Sequence, residues 1–358
     1  MAFIAYIKDL KLMTTRTRNP FLDALKAYSI LLVVFGHCIQ YGSGHTFVEN
    51  NLYYENVFFQ AIYSFHMPLF MLISGFLFGF SIKKGWAENI RKKFHSLLVP
   101  AFVWAILSVA LAMAHKFVHN EPITLLVFAK SYLTSALFSL WFLWALFGCS
   151  LLVALVNRFC KDSIWIYTAI FIASFFIPDS FSFGLYKYMY PYFLAGYFFQ
   201  KLNWKDSIGI YLKKSSLCIV GGGILFCAAL YFFTPECFIY TSGHSLIGKD
   251  MLTQLGIDLY RYAIGFLGSA FSVSLIYKLS SFCQHSKFLN TIGKETLGIY
   301  IISSYLNVQL LQRATYGLDG PNFIFLVIES IAILLCCHIV ICLIQKSRLL
   351  NRFLLGAR

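Results

Sequence analysis

Two histidines and a lysine carry the chemistry that this chain offers. Lys26 and His37 stand eleven residues apart in the apolar run Phe21–His37. On an α-helix that spacing is almost three turns, so the two side chains share one face about 16 Å apart along the axis. His66 follows in Tyr63-Ser-Phe-His-Met-Pro-Leu-Phe70, roughly ten residues into the next apolar run. A neutral imidazole takes a proton from a hydroxyl and returns it to a leaving group, which is what general-base catalysis of acyl transfer requires. An ionisable side chain in hydrocarbon is costly to keep and so marks a functional site by default. A histidine bonded to a neighbouring helix and a snorkelling lysine fit the same spacing. Two imidazoles at matching depth on consecutive antiparallel spans shift the weight toward a shared site.

What must position these groups is a membrane bundle. Hydrophobic residues make up 59% of the 358 and charged residues 12%, and the mean hydropathy is +0.71, which excludes an ordinary soluble domain. Apolar stretches long enough to cross fall near 22–40, 56–80, 97–114, 137–157, 163–178, 187–200, 216–233, 261–280, 296–312 and 322–345. They predict an all-α fold, a polytopic transmembrane bundle of about ten helices, with Pro122–Phe138 as a surface or re-entrant helix. With both termini cytoplasmic, 23 of the 29 basic residues fall on inner segments, leaving Lys116, Lys130, Lys187, Lys249, Arg261 and Arg313 outside, as the positive-inside rule requires. Topology and the anionic headgroups of membrane lipids then account for the net charge of +14 with no nucleic acid as partner. The basic N-terminal segment runs straight into the first span, so no cleavable signal peptide is expected. No linker or repeat divides the chain, which predicts one domain over 1–358, with 1–20 as a cytoplasmic segment and 346–358 as a basic cytoplasmic tail. The ten cysteines show no CxxC pair and no metal spacing; they read as small apolar residues within helices, and no metal is expected.

Further candidates sit around this frame. Arg91, Lys92 and Lys93 at the cytoplasmic surface suit the phosphates of a nucleotide-bearing cofactor such as coenzyme A, and equally a topology anchor. Asp23 shares the Lys26 stripe, Ser74-Gly75 permits a close helix crossing, and Glu329 is a carboxyl inside the last span, either orienting an imidazole or satisfied by a structural partner. The longest non-spanning segment, Thr234–Tyr260, lies outside with Gly243, Gly248 and Gly256 as turn residues. Asp258 and Arg261 have the spacing of a local helix pair, and Tyr240 and His244 could line an acceptor entrance.

The ordered motifs resemble a known family. Arg18-x4-Asp23-x2-Lys26-x10-His37, then Ser64-Phe-His66-Met-Pro-Leu-Phe-x3-Ser74-Gly75-Phe, then the basic run closing in Leu97-Leu-Val-Pro100 resemble the integral-membrane acyltransferases of type 3. Leu140-Trp-Phe-Leu143, Pro191-Tyr-Phe-Leu-Ala-Gly196 and Ile292-Gly-Lys-Glu-Thr-Leu-Gly-Ile-Tyr300 extend the likeness over about residues 18 to 303. The resemblance implies a protein of the cell membrane that moves an acyl group, commonly acetyl from cytoplasmic acetyl-CoA, onto a hydroxyl of a glycan or lipid-linked saccharide at the outer face. It implies His37 as catalytic base, Lys26 in the family's basic position, and Arg91, Lys92 and Lys93 as a coenzyme A contact. His66 would orient the reacting pair or stabilise the oxyanion, with Asp23, Ser74 and Glu329 in support. Ser303 departs from the pattern, since many members have a histidine there. A thiol-acyl intermediate on Cys38 is disfavoured, because that side chain points about 100° from His37. A transporter or flippase using the histidines as an ion relay is the rival reading, but the two halves of the chain show no repeat. A sensor lacks an appended soluble domain.

Overall fold

The computed structural model describes residues 19–82, 85–202, 215–307, 311–315, 317–318 and 320–357. The expectations placed on Lys8, Lys11, Arg16, Arg18, Lys83, Lys84, Lys205, Lys213, Lys214 and Arg358, and on the Arg313 side chain, lie outside them.

Two helices form the centre. Helix α1 (Pro20–Tyr41) starts where the Asn19 side chain accepts from the backbone N–H of Phe21, with Pro20 in the first turn and Asp23 at the positive end of the helix dipole. It runs unbroken to Gly42, so the sixteen-ångström spacing of Lys26 and His37 applies to a real rod. Helix α2 (Val57–Ser81) is capped by Asn56 and continues through Pro68. Of their most apolar windows, 67% and 72% are buried by protein, against 33% for each of α3 (Trp86–Val118) and α11 (Phe323–Gln345). The first pair is therefore the core and the second pair faces outward.

Between them in sequence lie α4 (Leu125–Ser139), α5 (Trp141–Cys160), α6 (Ile164–Ser174), α7 (Phe183–Lys201), α8 (Ser215–Leu230), α9 (Met251–Lys278) and α10 (Lys287–Leu306); α12 (Arg348–Leu354) closes the described chain. Among the described residues there is no strand. Helix α3 carries a π-helical turn at Phe94–Leu98 directly after its basic run, and α4, where a surface helix was expected, has most of its side chains exposed.

Each of the ten apolar stretches falls on a helix, and six helices, α1, α2, α3, α5, α9 and α11, are long and apolar enough to cross a membrane. The protein is a multi-pass membrane protein. Helices α6 and α8, with 11 and 16 residues, are short. Helices α7 and α10 have the length but carry five tyrosines and a Lys-Glu-Thr run respectively. They need less apolarity because they pack on the core, α7 along α2 and α10 along α1. Glycines set those contacts: a methyl group on Gly75 would lie 2.0 Å from the Phe193 carbonyl oxygen, one on Gly196 2.0 Å from that of Leu72, and one on Gly293 2.1 Å from that of Asp23. At such distances only a residue without Cβ lets the backbones meet.

Helix α9 begins at Met251, earlier than expected, so the outer segment is shorter than Thr234–Tyr260. Gly243 and Gly248 turn with φ of 67° and 73°, where glycine is favoured. Gly256 lies within α9 and is not a turn residue.

Candidate active site

The site is built where α1 and α2 cross. A methyl group on Gly36 would lie 2.9 Å from Cε2 of Tyr63, so the missing side chain lets the Tyr63 ring slide over α1 beside His37. The Tyr63 hydroxyl donates to Oε1 of Gln40 at 3.2 Å, and its ring centroid stands 4.7 Å from that of His66, one turn deeper. His66 is 3% exposed, and its Nδ1 lies 2.7 Å from the Ile62 carbonyl oxygen. A carbonyl only accepts, so Nδ1 carries the proton and, in the neutral ring, Nε2 carries the lone pair. His37 sits four residues before the end of α1, about 6 Å from its C-terminal end by helical rise, and so away from the middle of the helix. Its Nδ1 is buried without a hydrogen-bond partner among the described residues.

Both imidazoles line one cavity of about 550 Å³, within the range of small-molecule sites. Its walls come from α1, α2, α7 and α10, with Trp141, Tyr53 and Tyr54 completing the sides and Ile239 and Tyr240 at the outer segment. Eight lining residues are tyrosines and none is Asp, Glu, Lys or Arg. Such a wall offers ring faces for stacking and hydroxyls for hydrogen bonding, and no charge to neutralise. Gln40, Ser304 and most of these tyrosines carry no spacing signal in the sequence, because they arrive from separate segments. Trp141 was within a quoted motif; the break at Leu140, with φ −113° and ψ 49°, places it at the start of α5.

The other predicted residues are dispersed. Lys26 Nζ pairs with Oδ1 of Asp23 at 2.5 Å near the inner end of α1. The basic run diverges: Arg91 is exposed, Lys92 pairs with Glu88 of its own helix, and Lys93 turns inward with Nζ 5.8 Å from the centre of the Phe78 ring. Ser74 lies eight residues beyond His66, about 12 Å along α2, and off the cavity wall. Ser303 is buried and its hydroxyl closes on the Tyr300 carbonyl at 3.4 Å, while Ser304 faces the cavity. Cys38 is buried and does not line the cavity. The partner expected for Glu329 is missing: both carboxyl oxygens are buried and unpartnered among the described residues. The carboxyl stands against Gly42, where an added methyl group would meet Oε2 at 2.2 Å.

At the outer side, the expected Asp258–Arg261 pair forms at 2.6 Å and belongs to a buried clamp. Arg261, 2% exposed, donates to the carbonyls of Cys237 and Gly243, each at 2.8 Å, to that of Glu236 at 3.2 Å, and to the Ser242 hydroxyl. These groups bracket Ile239 and Tyr240, so the guanidinium fixes that part of the cavity wall. Next to it, the backbone N–H groups of His244 and Ser245 both donate to Oδ2 of Asp179 at 2.7 Å, and Lys187 Nζ lies 2.7 Å from Oδ1. Burial alone would raise the Asp179 pKa; Lys187 and the two N–H groups outweigh it and hold the carboxyl below its ordinary value.

No solved structure matches this chain. The nodulation protein NolL of Mesorhizobium japonicum is 32% identical over 205 residues, covering 54% of this chain and 51% of that protein. NolL of Sinorhizobium fredii is 29% identical over 229 residues, 63% of this chain and 60% of that protein, so the chain spans about half to three fifths of the curated relatives it matches. The acyltransferase 3 family, whose description is an acyltransferase domain, matches residues 19–345, and the chain, with its helical bundle and two histidines at one cavity, belongs to that family.

Proposed function

We propose that this enzyme of the cell membrane carries an acyl group, acetyl from cytoplasmic acetyl-CoA, to a hydroxyl of a surface or lipid-linked saccharide, with His37 as general base. The observation that carries the reading is the placement of His37 and His66 on one uncharged, tyrosine-lined cavity near the outer end of a helix whose inner end holds Lys26. Coenzyme A phosphates would meet Lys26 and the Arg91, Lys92 and Lys93 run from inside, Lys93 being the cation of that run turned toward the bundle. The acceptor ring would stack in the cavity from the outer side.

His37 takes the proton of the acceptor hydroxyl as its oxygen attacks the thioester carbonyl. Collapse of the tetrahedral intermediate breaks the carbon–sulfur bond, and the imidazolium returns the proton to the leaving thiolate, giving the ester and coenzyme A. The tautomer of His66 favours an orienting part over an oxyanion-stabilising one. With Nδ1–H held by Ile62, neutral His66 presents a lone pair at Nε2 and has no second N–H to donate. Glu329 stands against Gly42 at the end of α1 that bears His37, where its carboxyl would act on that end through space.

The test is transfer from acetyl-CoA by purified protein in lipid, with a panel of saccharide acceptors. His37→Ala is expected to lose about 10² to 10⁴ in rate. Near-wild-type transfer by folded His37→Ala protein overturns the assignment, and absence of thioester consumption with every acceptor overturns the choice of donor.

A further inference from the structure

A nucleophile, base and orienter stand in line on the outside of the bundle, absent from the cavity wall. His338 and Cys342 lie four residues apart on α11, so they share a stripe, Lys346 follows at the same step as the residue that caps the helix, and all three are exposed. The Cys342 sulfur lies 3.7 Å from Nε2 of His338, and Nδ1 of His338 lies 2.9 Å from Oε2 of Glu295 on α10. One polar atom each of Glu295, His338 and Cys342 all fall within 4.8 Å of one another. Their two helices are held close by Gly298, where an added methyl group would stand 2.8 Å from Cδ1 of Ile341.

An ionised carboxylate only accepts hydrogen bonds, so Glu295 places the ring proton on Nδ1 and leaves the Nε2 lone pair toward the thiol. That is the order required of an activated cysteine: a base in contact with the nucleophile and a carboxylate that fixes the base. Cys336 on the same helix and Cys227 on α8 are exposed as well, and among the described residues neither has an imidazole contact.

We propose that Cys342 is an S-acylation site that accepts the acyl group of a fatty acyl-CoA. Its position selects that class of donor. Cys342 lies three residues before the end of α11, about 4.5 Å by helical rise, on a face that a membrane-spanning helix presents to lipid. A thioester must therefore arrive along the inner surface of the bilayer. A long acyl chain partitions into lipid and brings its donor there, whereas an acetyl group does not. The phosphates of the donor would then lie beside Lys346, Arg348 and Arg352. In the step, the Cys342 S–H proton passes to His338, the sulfur attacks the thioester carbonyl, and the carbon–sulfur bond to coenzyme A breaks. The thiolate leaving group takes the proton from His338, giving a protein thioester and free coenzyme A. The new chain would lie in the lipid alongside α11.

The experiment incubates the full chain in phospholipid nanodiscs with palmitoyl-CoA and reads each cysteine by peptide mass spectrometry before and after neutral hydroxylamine. A hydroxylamine-labile acyl group is expected on Cys342 at least tenfold faster than on Cys336 or Cys227. Cys342→Ser removes it, and His338→Gln slows it about 10²-fold while transfer by the His37 site is unchanged. Equal labelling of Cys336 and Cys342, labelling indifferent to His338→Gln, or no thioester on Cys342 overturns the proposal. The comparison of cysteines within the wild-type chain decides it even if a substituted chain fails to fold.

Discussion

Replacing Arg261 by methionine probes how the cavity wall is held. Arg261 is 2% exposed and Asp258 fully buried, and the guanidinium serves one carboxylate, several carbonyls and a hydroxyl at once. Removing one partner of such a pair leaves an uncompensated buried charge and several carbonyls without donors, which typically costs about 3–5 kcal/mol. Arg261→Lys is not a conservative alternative, because a single ammonium cannot span acceptors arranged around a planar fork. Arg261→Met/Asp258→Leu removes both charges, so it is expected to lose less than the sum of the two single changes, with a coupling of about 0.5–3 kcal/mol. Unfolding in detergent measures the stability side. The catalytic side is an acceptor titration: with Ile239 and Tyr240 released, the KM for acceptor rises, while thioester hydrolysis without acceptor stays near wild type. Arg261→Met protein with unchanged stability and an unchanged acceptor KM would refute the clamp.

Three other outcomes follow from geometry already described. Because the folded-state pKa of Asp179 lies below its unfolded value of about 3.9, its contribution is present above that pH and is lost as pH falls through the folded value; the stability gap between wild type and Asp179→Asn should stay constant from pH 7 to about pH 5 and shrink below about pH 4, and a gap that closes toward alkaline pH contradicts the reading. Gly75→Val places carbon against the Phe193 carbonyl, where a Cβ has 2.0 Å, and is expected to destabilise by about 1–3 kcal/mol or more; a wild-type melting temperature would show that α2 and α7 do not touch there. Glu329→Gln removes an unpartnered buried carboxyl, so melting should stay level or rise while transfer falls, in the manner of a strained functional group; unchanged transfer assigns Glu329 no part.

Much of this fold is legible in residue order because hydrocarbon imposes one rule, that backbone groups bond internally. The apolar runs therefore locate the helices, and Lys26 to His37 keeps its spacing because Asn19 and Gly42 bound one continuous α1. Helices α7 and α10 were visible as helices but not as interior ones, since their tyrosines and Lys294-Glu295-Thr296 dilute the apolar signal that buries α1 and α2. Gly75, Gly196 and Gly293 stood within the motifs, yet only the crossing helices reveal what each approaches. The cavity was the least legible part: Tyr63, Tyr188, Tyr240 and Tyr300 come from four segments, and their convergence is a property of packing that no local spacing encodes. For the same reason Ser74, which sits in a conspicuous motif, stands away from the cavity, and Ser304, which sits in none of its own, lies on it.

The crossing at Gly293 also sets a schedule. Asp23 and its contact on α10 are 270 residues apart, since 293 minus 23 is 270, and at about 5–20 residues per second of synthesis α1 waits roughly 14 to 54 seconds for that partner. During this interval the helix bearing His37 has α2 beside it but lacks α10, and its Asn19 cap and the Asp23–Lys26 pair hold its first turns. The Tyr300, Ser304 and Tyr305 wall of the cavity arrives on the same late helix. A ribosome-bound chain arrested before α10 would thus hold both histidines in an open groove, and catalytic competence would appear in one step near the end of insertion.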